Sequence, residues 1–241
     1  MNTKSIFFSA LFFAICSISG VTHAEESQKI SIDRKTTALL ITDPQNDFLH
    51  KNGAAYGLVK DNLNTVGTID NIDALFKTAI QSGMPIFVSP HFYFPQDKKW
   101  KHRGALQKTI NDINMFHVSH PISQKEFEGS GADFLSRYKK VIYDANTTIT
   151  SPHKVYGPES NDLVLQLRKQ GIQTILIGGM AANLCTDSHM RELVEQGFDV
   201  IMVKDAVGAP GDAAYLAALT NYSLIANAVV STREAIKLMN H

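Results

Sequence analysis

The chain has 241 residues, 44% of them hydrophobic, which is enough to bury a sizeable core and argues against disorder. Lys+Arg and Asp+Glu both total 23, so no net field draws the protein to nucleic acid or to an anionic membrane surface. Glycine and proline counts are ordinary and no fixed-period repeat is present, which excludes collagen-like, low-complexity and solenoid classes.

The first element is an apolar run from Ile6 to Val21, with Lys4 before it, Ala24 after it, and Glu25-Glu26 beyond. A basic start, a short apolar stretch and a small residue describe a secretory leader, 1–24, cleaved after Ala24. The run is shorter than the ~20 residues a spanning helix needs, so no membrane attachment is expected after cleavage. The expected location is therefore periplasmic or secreted, and residues 25–241 form one domain. Cleavage removes Cys16 and leaves Cys185 without a partner in its own chain. A lone cysteine in an exported protein points to a reactive thiol or an intermolecular bridge.

Beyond the leader, short apolar runs alternate with helical periodicity. Strands are expected at 38–42, 85–89, 147–150, 174–177, 200–203 and 228–230. Helices are expected at 63–80, 161–169, 184–196 and 213–222, with a last one from Glu234; Gly83 is placed to stop the first. Apolar strands separated by helices predict an α/β fold: three Rossmann-like layers, with a central parallel sheet of about six strands and helices on both faces. Residues 92–146 interrupt the rhythm as a long polar insertion, of the kind that forms a lid or binding loop.

Ligands of such sheets bind beyond the carboxyl ends of the strands. Asp43 follows the first strand, Ser89-Pro90-His91 the second, His153-Lys154 the third, and the stretch from Gly178 to Cys185 the fourth. A carboxylate, an ammonium and a thiol are thus expected at one rim. Cys185 falls at the start of a helix, where free N–H groups and a nearby lysine would favour a thiolate and the N–H groups could hold an oxyanion. Taken singly, Cys185 also suits a buried packing role, Asp43 a turn, and Lys154 a solvated surface.

The stretch Leu40-Ile41-Thr42-Asp43-Pro44-Gln45-Asn46-Asp47-Phe48 resembles the opening motif of the isochorismatase-like cysteine hydrolases. Ile177-Gly178-Gly179-Met180-Ala181-Ala182-Asn183-Leu184-Cys185 resembles their nucleophile loop, and the stretch from Phe198 to Ala206 the strand after it. Lys154, in Ser151-Pro152-His153-Lys154-Val155-Tyr156, resembles the family's lysine in its position after the third strand. The resemblance implies a catalytic set of Asp43, Lys154 and Cys185, with Lys154 stabilising the thiolate and keeping Asp43 ionised. It also implies a cis peptide at Met180–Ala181 and an oxyanion hole made by the N–H groups of Ala181 and Cys185. Phe48, His91, Trp100 and Tyr156 are expected to line the substrate pocket.

Metal-binding nicotinamidases of the superfamily carry an aspartate two residues before a histidine after strand two; here Ser89 precedes His91. His91, Asp97 and His102 have the right chemistry for zinc, but separated histidines in a polar loop commonly face solvent. No metal and no cofactor are assigned. The cysteine favours cleavage of a C–N bond in a small amide, ureide or carbamoyl compound through a thioester. Two alternatives are a vinyl-ether hydrolase with Asp43 as general acid and a non-catalytic binding or redox-thiol protein. The partner is a small-molecule substrate, and the family resemblance suggests a homo-oligomer.

Overall fold

The computed structural model describes residues 30–118 and 127–241; the expected leader lies outside the described residues. Six parallel strands form one sheet: β1 (Thr37–Thr42), β2 (Ile86–Ser89), β3 (Thr147–Ile149), β4 (Thr174–Gly179), β5 (Asp199–Val207) and β6 (Ala228–Val230). Their order is β3-β2-β1-β4-β5-β6. The order reverses between β1 and β4, and sheets of this kind bind ligands in the crevice at that point, beyond the carboxyl ends of the strands.

Both faces of the sheet are covered, as the unbroken apolar strands require. Leu39 and Ile41 of β1 join one core with Ile72, Leu75 and Phe76 of α3 (Thr68–Ser82), while Ala38 and Leu40 point to the other. The second core is closed by Leu163 and Leu167 of α6 (Leu163–Lys169), Met190 and Leu193 of α7 (Asp187–Glu195), and Ala218 and Tyr222 of α8 (Asp212–Ile225). The last helix, α9 (Thr232–Asn240), packs Ala235 and Met239 into the first core. The period-2 alternation of strand side chains assigns successive residues to opposite faces.

The helix expected at 63–80 is two helices, α2 (Tyr56–Val66) and α3, because Gly67 takes φ 77° and ends the first. The described part of the insertion is packed and forms no loose lid. It contains a 3₁₀ turn (Pro95–Lys99), α4 (Ala105–Asp112) and α5 (Lys139–Ile142), and buries Phe116, Phe134 and Tyr138 in the first core. Its apolar residues are scattered without a period, so the sequence shows its polarity and hides its anchors. Among the described residues no helix is long and apolar enough to cross a membrane.

Candidate active site

The opening motif, including α1 (Asn46–Leu49), builds the floor of the crevice and ties the insertion to it. Gln45 clamps residue 91 from both sides: its Oε1 accepts from the His91 N–H (2.7 Å) and its Nε2 donates to the His91 carbonyl (2.8 Å). Asp47 Oδ2 accepts from the Phe116 N–H at 2.6 Å, and Oδ1 accepts from the Ala54 N–H at 3.0 Å. Gly179 has φ 123°, and a Cβ there would stand 2.2 Å from the Thr42 carbonyl oxygen. Glycine is what lets the ends of β1 and β4 approach so closely.

Asp43, at φ 48°, is fully buried, and its Oδ1 lies 2.7 Å from His153 Nε2. Burial pushes its carboxyl up to about 6, against the opposing influence of His91, the Cys185 thiol and His189. The same burial holds His91, His153 and His189 down at about 3. Near neutral pH the carboxylate is ionised and only accepts, so the hydrogen in the Asp43–His153 bond belongs to His153 Nε2. His153 Nδ1 and His91 Nε2 make no hydrogen bond.

Cys185 lies in a π-helical turn, Ala182–Thr186, directly before α7, and is 4% exposed. The preceding Met180–Ala181 peptide is cis. Both N–H groups expected to form the oxyanion hole, those of Ala181 and Cys185, act on the Cys185 sulfur and favour its anion. Burial and the Asp43 charge outweigh them and push the thiol well above its ordinary range. In the resting arrangement the thiol is thus favoured over the thiolate.

His189 completes the wiring. Its Nδ1–H donates to the Cys185 carbonyl at 2.7 Å, one helical turn back, which leaves Nε2 to accept from the Ser89 hydroxyl at 2.8 Å. Asn161 Nδ2 donates to Ser89 Oγ at 2.9 Å. Ser89 links His189 and Asn161 in this chain of hydrogen bonds.

Lys154 is turned the other way. Its ammonium donates to Asp97 Oδ2 (2.8 Å) and to the Phe92 carbonyl (2.9 Å), and stands 3.8 Å from the centre of the Phe94 ring. The structure does not join it to Asp43; the adjacent residue, His153, takes that place. The reason is strand alternation: residue 153 continues the ladder, pairing with His91 and donating its N–H to the Pro90 carbonyl at 2.9 Å. Successive side chains point to opposite sides, so when 153 faces the crevice, 154 faces the insertion.

The remaining expected residues divide similarly. His91 is buried in the centre, its ring 4.5 Å from that of His153. Phe48 packs edge-on against Phe116 and lines an apolar cavity of ≈ 90 Å³ that also touches Ala181 and Leu184. Trp100 meets Tyr93 edge-on, and both border a space of ≈ 10 Å³ with Asp97 and His117. Tyr156 is half-buried, within electrostatic reach of Cys185. Asp97 is paired with Lys154 and His102 is exposed, so His91, Asp97 and His102 form no common site. Sequence reasoning missed His153, His189 and the buried, unpartnered hydroxyl of Tyr93. The four-residue interval from Cys185 to His189 was the available signal for the second of these.

Residues 37–234 match the Isochorismatase domain family. The uncharacterized isochorismatase family protein YddQ of Bacillus subtilis is 24% identical over 171 residues, covering 71% of this chain and 77% of that one. A cysteine hydrolase from Pseudomonas syringae pv. phaseolicola has the same fold, with a TM-score of 0.71 at 20% identity, over 88% of this chain and 96% of that one. The N-carbamoylsarcosine amidase of Thermoplasma acidophilum superposes with a TM-score of 0.59 at 19% identity, over 82% and 96%. With its β1 aspartate and post-β4 cysteine at the crevice, and a family match spanning most of its length, this chain belongs to the isochorismatase family of hydrolases.

Proposed function

We propose that the protein is a cysteine hydrolase that cleaves a C–N bond of a small amide, ureide or carbamoyl compound, with Cys185 as nucleophile and Asp43 as the group that carries the proton. The observation that carries this reading is that the Asp43 carboxylate and the Cys185 sulfur lie within 4.8 Å of each other, both buried, where the N–H groups of Ala181 and Cys185 favour the sulfur's anion. Donors placed around a nucleophile in this way also hold the oxyanion formed by its attack. That the N-carbamoylsarcosine amidase shares the fold agrees with a carbamoyl-type substrate.

In the first step the sulfur attacks the substrate carbonyl carbon while its proton passes to Asp43, and the oxyanion is held by the two N–H groups. Collapse breaks the C–N bond, and Asp43 returns the proton to the departing nitrogen. Water then attacks the thioester as Asp43 takes one of its protons. Breaking the C–S bond releases the acid and returns that proton to sulfur. His153 Nε2–H holds Asp43 Oδ1 throughout and orients the other oxygen. With three neutral histidines and no ammonium at the centre, proton removal must accompany attack. An exported location, from the expected leader at 1–24, belongs to the same proposal.

A screen of small amides, ureides and carbamoyl compounds tests the reading, with Cys185→Ala beside the wild type. We expect the variant to lose about 10³-fold or more in turnover of any substrate found. Turnover within 10-fold of wild type would refute the nucleophile. One observation favours a second reading: a carboxyl at about 6 can also act as a general acid toward a vinyl ether. In that case Cys185→Ala would retain cleavage of isochorismate and Asp43→Asn would lose it.

A further inference from the structure

The centre of the crevice holds more ligand chemistry than an acyl transfer uses. Asp43, His91, His153 and Cys185 are all buried, and each offers one donor atom within 4.8 Å of the others. Asp43 Oδ2, His91 Nε2 and His153 Nδ1 make no hydrogen bond. Native interiors rarely leave such atoms unpartnered side by side, and an ion in the cluster would satisfy Asp43 Oδ2 and His91 Nε2.

We propose that these four side chains form a binding site for a zinc-class divalent ion, with the Cys185 sulfur as a ligand, and that the bound ion withholds the nucleophile from substrate. One thiolate, one carboxylate and two imidazoles suit zinc and are poor partners for calcium or magnesium, which take oxygen. Charge also balances: a doubly positive ion with Cys185 thiolate and Asp43 carboxylate leaves no net charge in the buried crevice. Donors around a tetrahedral zinc lie about 3.3–3.8 Å apart, so the widest pairs of the cluster must close by about 1 Å and the 2.7 Å Asp43–His153 pair must open by about 0.6 Å, within reach of side-chain rotation. Gln45 clamps the His91 backbone and fixes that side of the frame; on binding, His153 gives up its hydrogen bond to Asp43, its proton moving to Nδ1 so that Nε2 faces the ion. Binding replaces the thiol hydrogen by the metal and releases one proton to solvent, so affinity must rise with pH.

This site differs from the set His91, Asp97 and His102, which the fold separates. Its occupancy also answers a different question from catalysis, because the readout below is optical and needs no substrate.

The test uses the full chain freed of metal by a chelator and titrated with cobalt(II), with zinc measured by competition against a chromophoric chelator. We expect one equivalent to bind, with an intense near-ultraviolet thiolate-to-cobalt band and tetrahedral visible bands. Cys185→Ser, which keeps the volume of the side chain, should abolish the near-ultraviolet band. His91→Ala should weaken zinc binding by about 100-fold or more. Asp97→Asn, outside the site, should bind like the wild type. Absence of stoichiometric binding to the folded wild-type chain, a cobalt spectrum unchanged in Cys185→Ser, or a loss in Asp97→Asn equal to that in His91→Ala would each overturn the site. Cysteine-dependent hydrolysis without metal binding would refute this inference alone; stoichiometric metal binding by a chain that, once freed of metal, hydrolyses none of the amides, ureides and carbamoyl compounds would refute the hydrolase reading alone.

Discussion

The floor of the crevice and its cover are built on different principles. The floor comes from residues a few positions past the ends of β1, β2, β3 and β4, held by the sheet register itself. The cover comes from the 92–146 insertion, held by side chains reaching across long sequence distances, such as Asp47 to Phe116 and Lys154 to Asp97. The side chains at the centre of the floor, Asp43, His91, His153 and Cys185, are buried, whereas Lys154 is half-buried and paired in the cover. On the proposed mechanism the chemistry belongs to the floor, and Lys154 to the cover although it is the immediate neighbour of His153.

After the loss of turnover in Cys185→Ala, the largest effect that sharpens this contrast is on stability against pH. Folded, His91, His153 and His189 take up protons only at about 3, against 6.5 when free. Their contribution is complete above 6.5 and is lost as pH falls through that value toward 3. Asp43, raised from 3.8 to about 6, works in the opposite sense: its contribution is complete below 3.8 and lost as pH rises through 6. It offsets part of the histidine effect. Urea unfolding should show a net loss on the order of 3 kcal/mol between pH 7 and pH 5. A flat profile would mean that the three histidines are charged or solvated.

Next is the tie between floor and cover. Asp47→Ala leaves the Phe116 and Ala54 N–H groups without their acceptor, at a cost of about 2–3 kcal/mol in denaturant unfolding. A change below about 0.5 kcal/mol would show that the insertion is held by its apolar anchors alone. Lys154→Met should have the smallest effect, a change of less than about 10-fold in turnover, because it removes one partly exposed ion pair from the cover.

The same division explains what was legible in the sequence. The six-strand parallel sheet could be read because its strands are unbroken apolar runs, and Asp43 and Cys185 because they follow those runs directly. The break at Gly67 was hidden inside a continuous helical period. The exchange of Lys154 for His153 turns on one step of strand alternation, and the residue type had pointed to the lysine. The buried state of Cys185 also removes one early alternative: a thiol 4% exposed is poorly placed for an intermolecular bridge. The insertion could not be traced because its anchors, Phe116, Phe134 and Tyr138, share no period.

The central claim is that Cys185 answers to Asp43 and His153, with Lys154 uninvolved. Alkylation of Cys185 as a function of pH tests it without a substrate, in wild type, Lys154→Met and Asp43→Asn. We predict slow labelling of the wild type, rising only above the ~8.5 of a free cysteine. The profile should move by less than ~0.3 pH units in Lys154→Met and toward lower pH in Asp43→Asn, where the neighbouring negative charge is gone. An apparent pKa well below the free-cysteine value in the wild type, raised by a unit or more in Lys154→Met, would contradict the account and return the lysine to the centre.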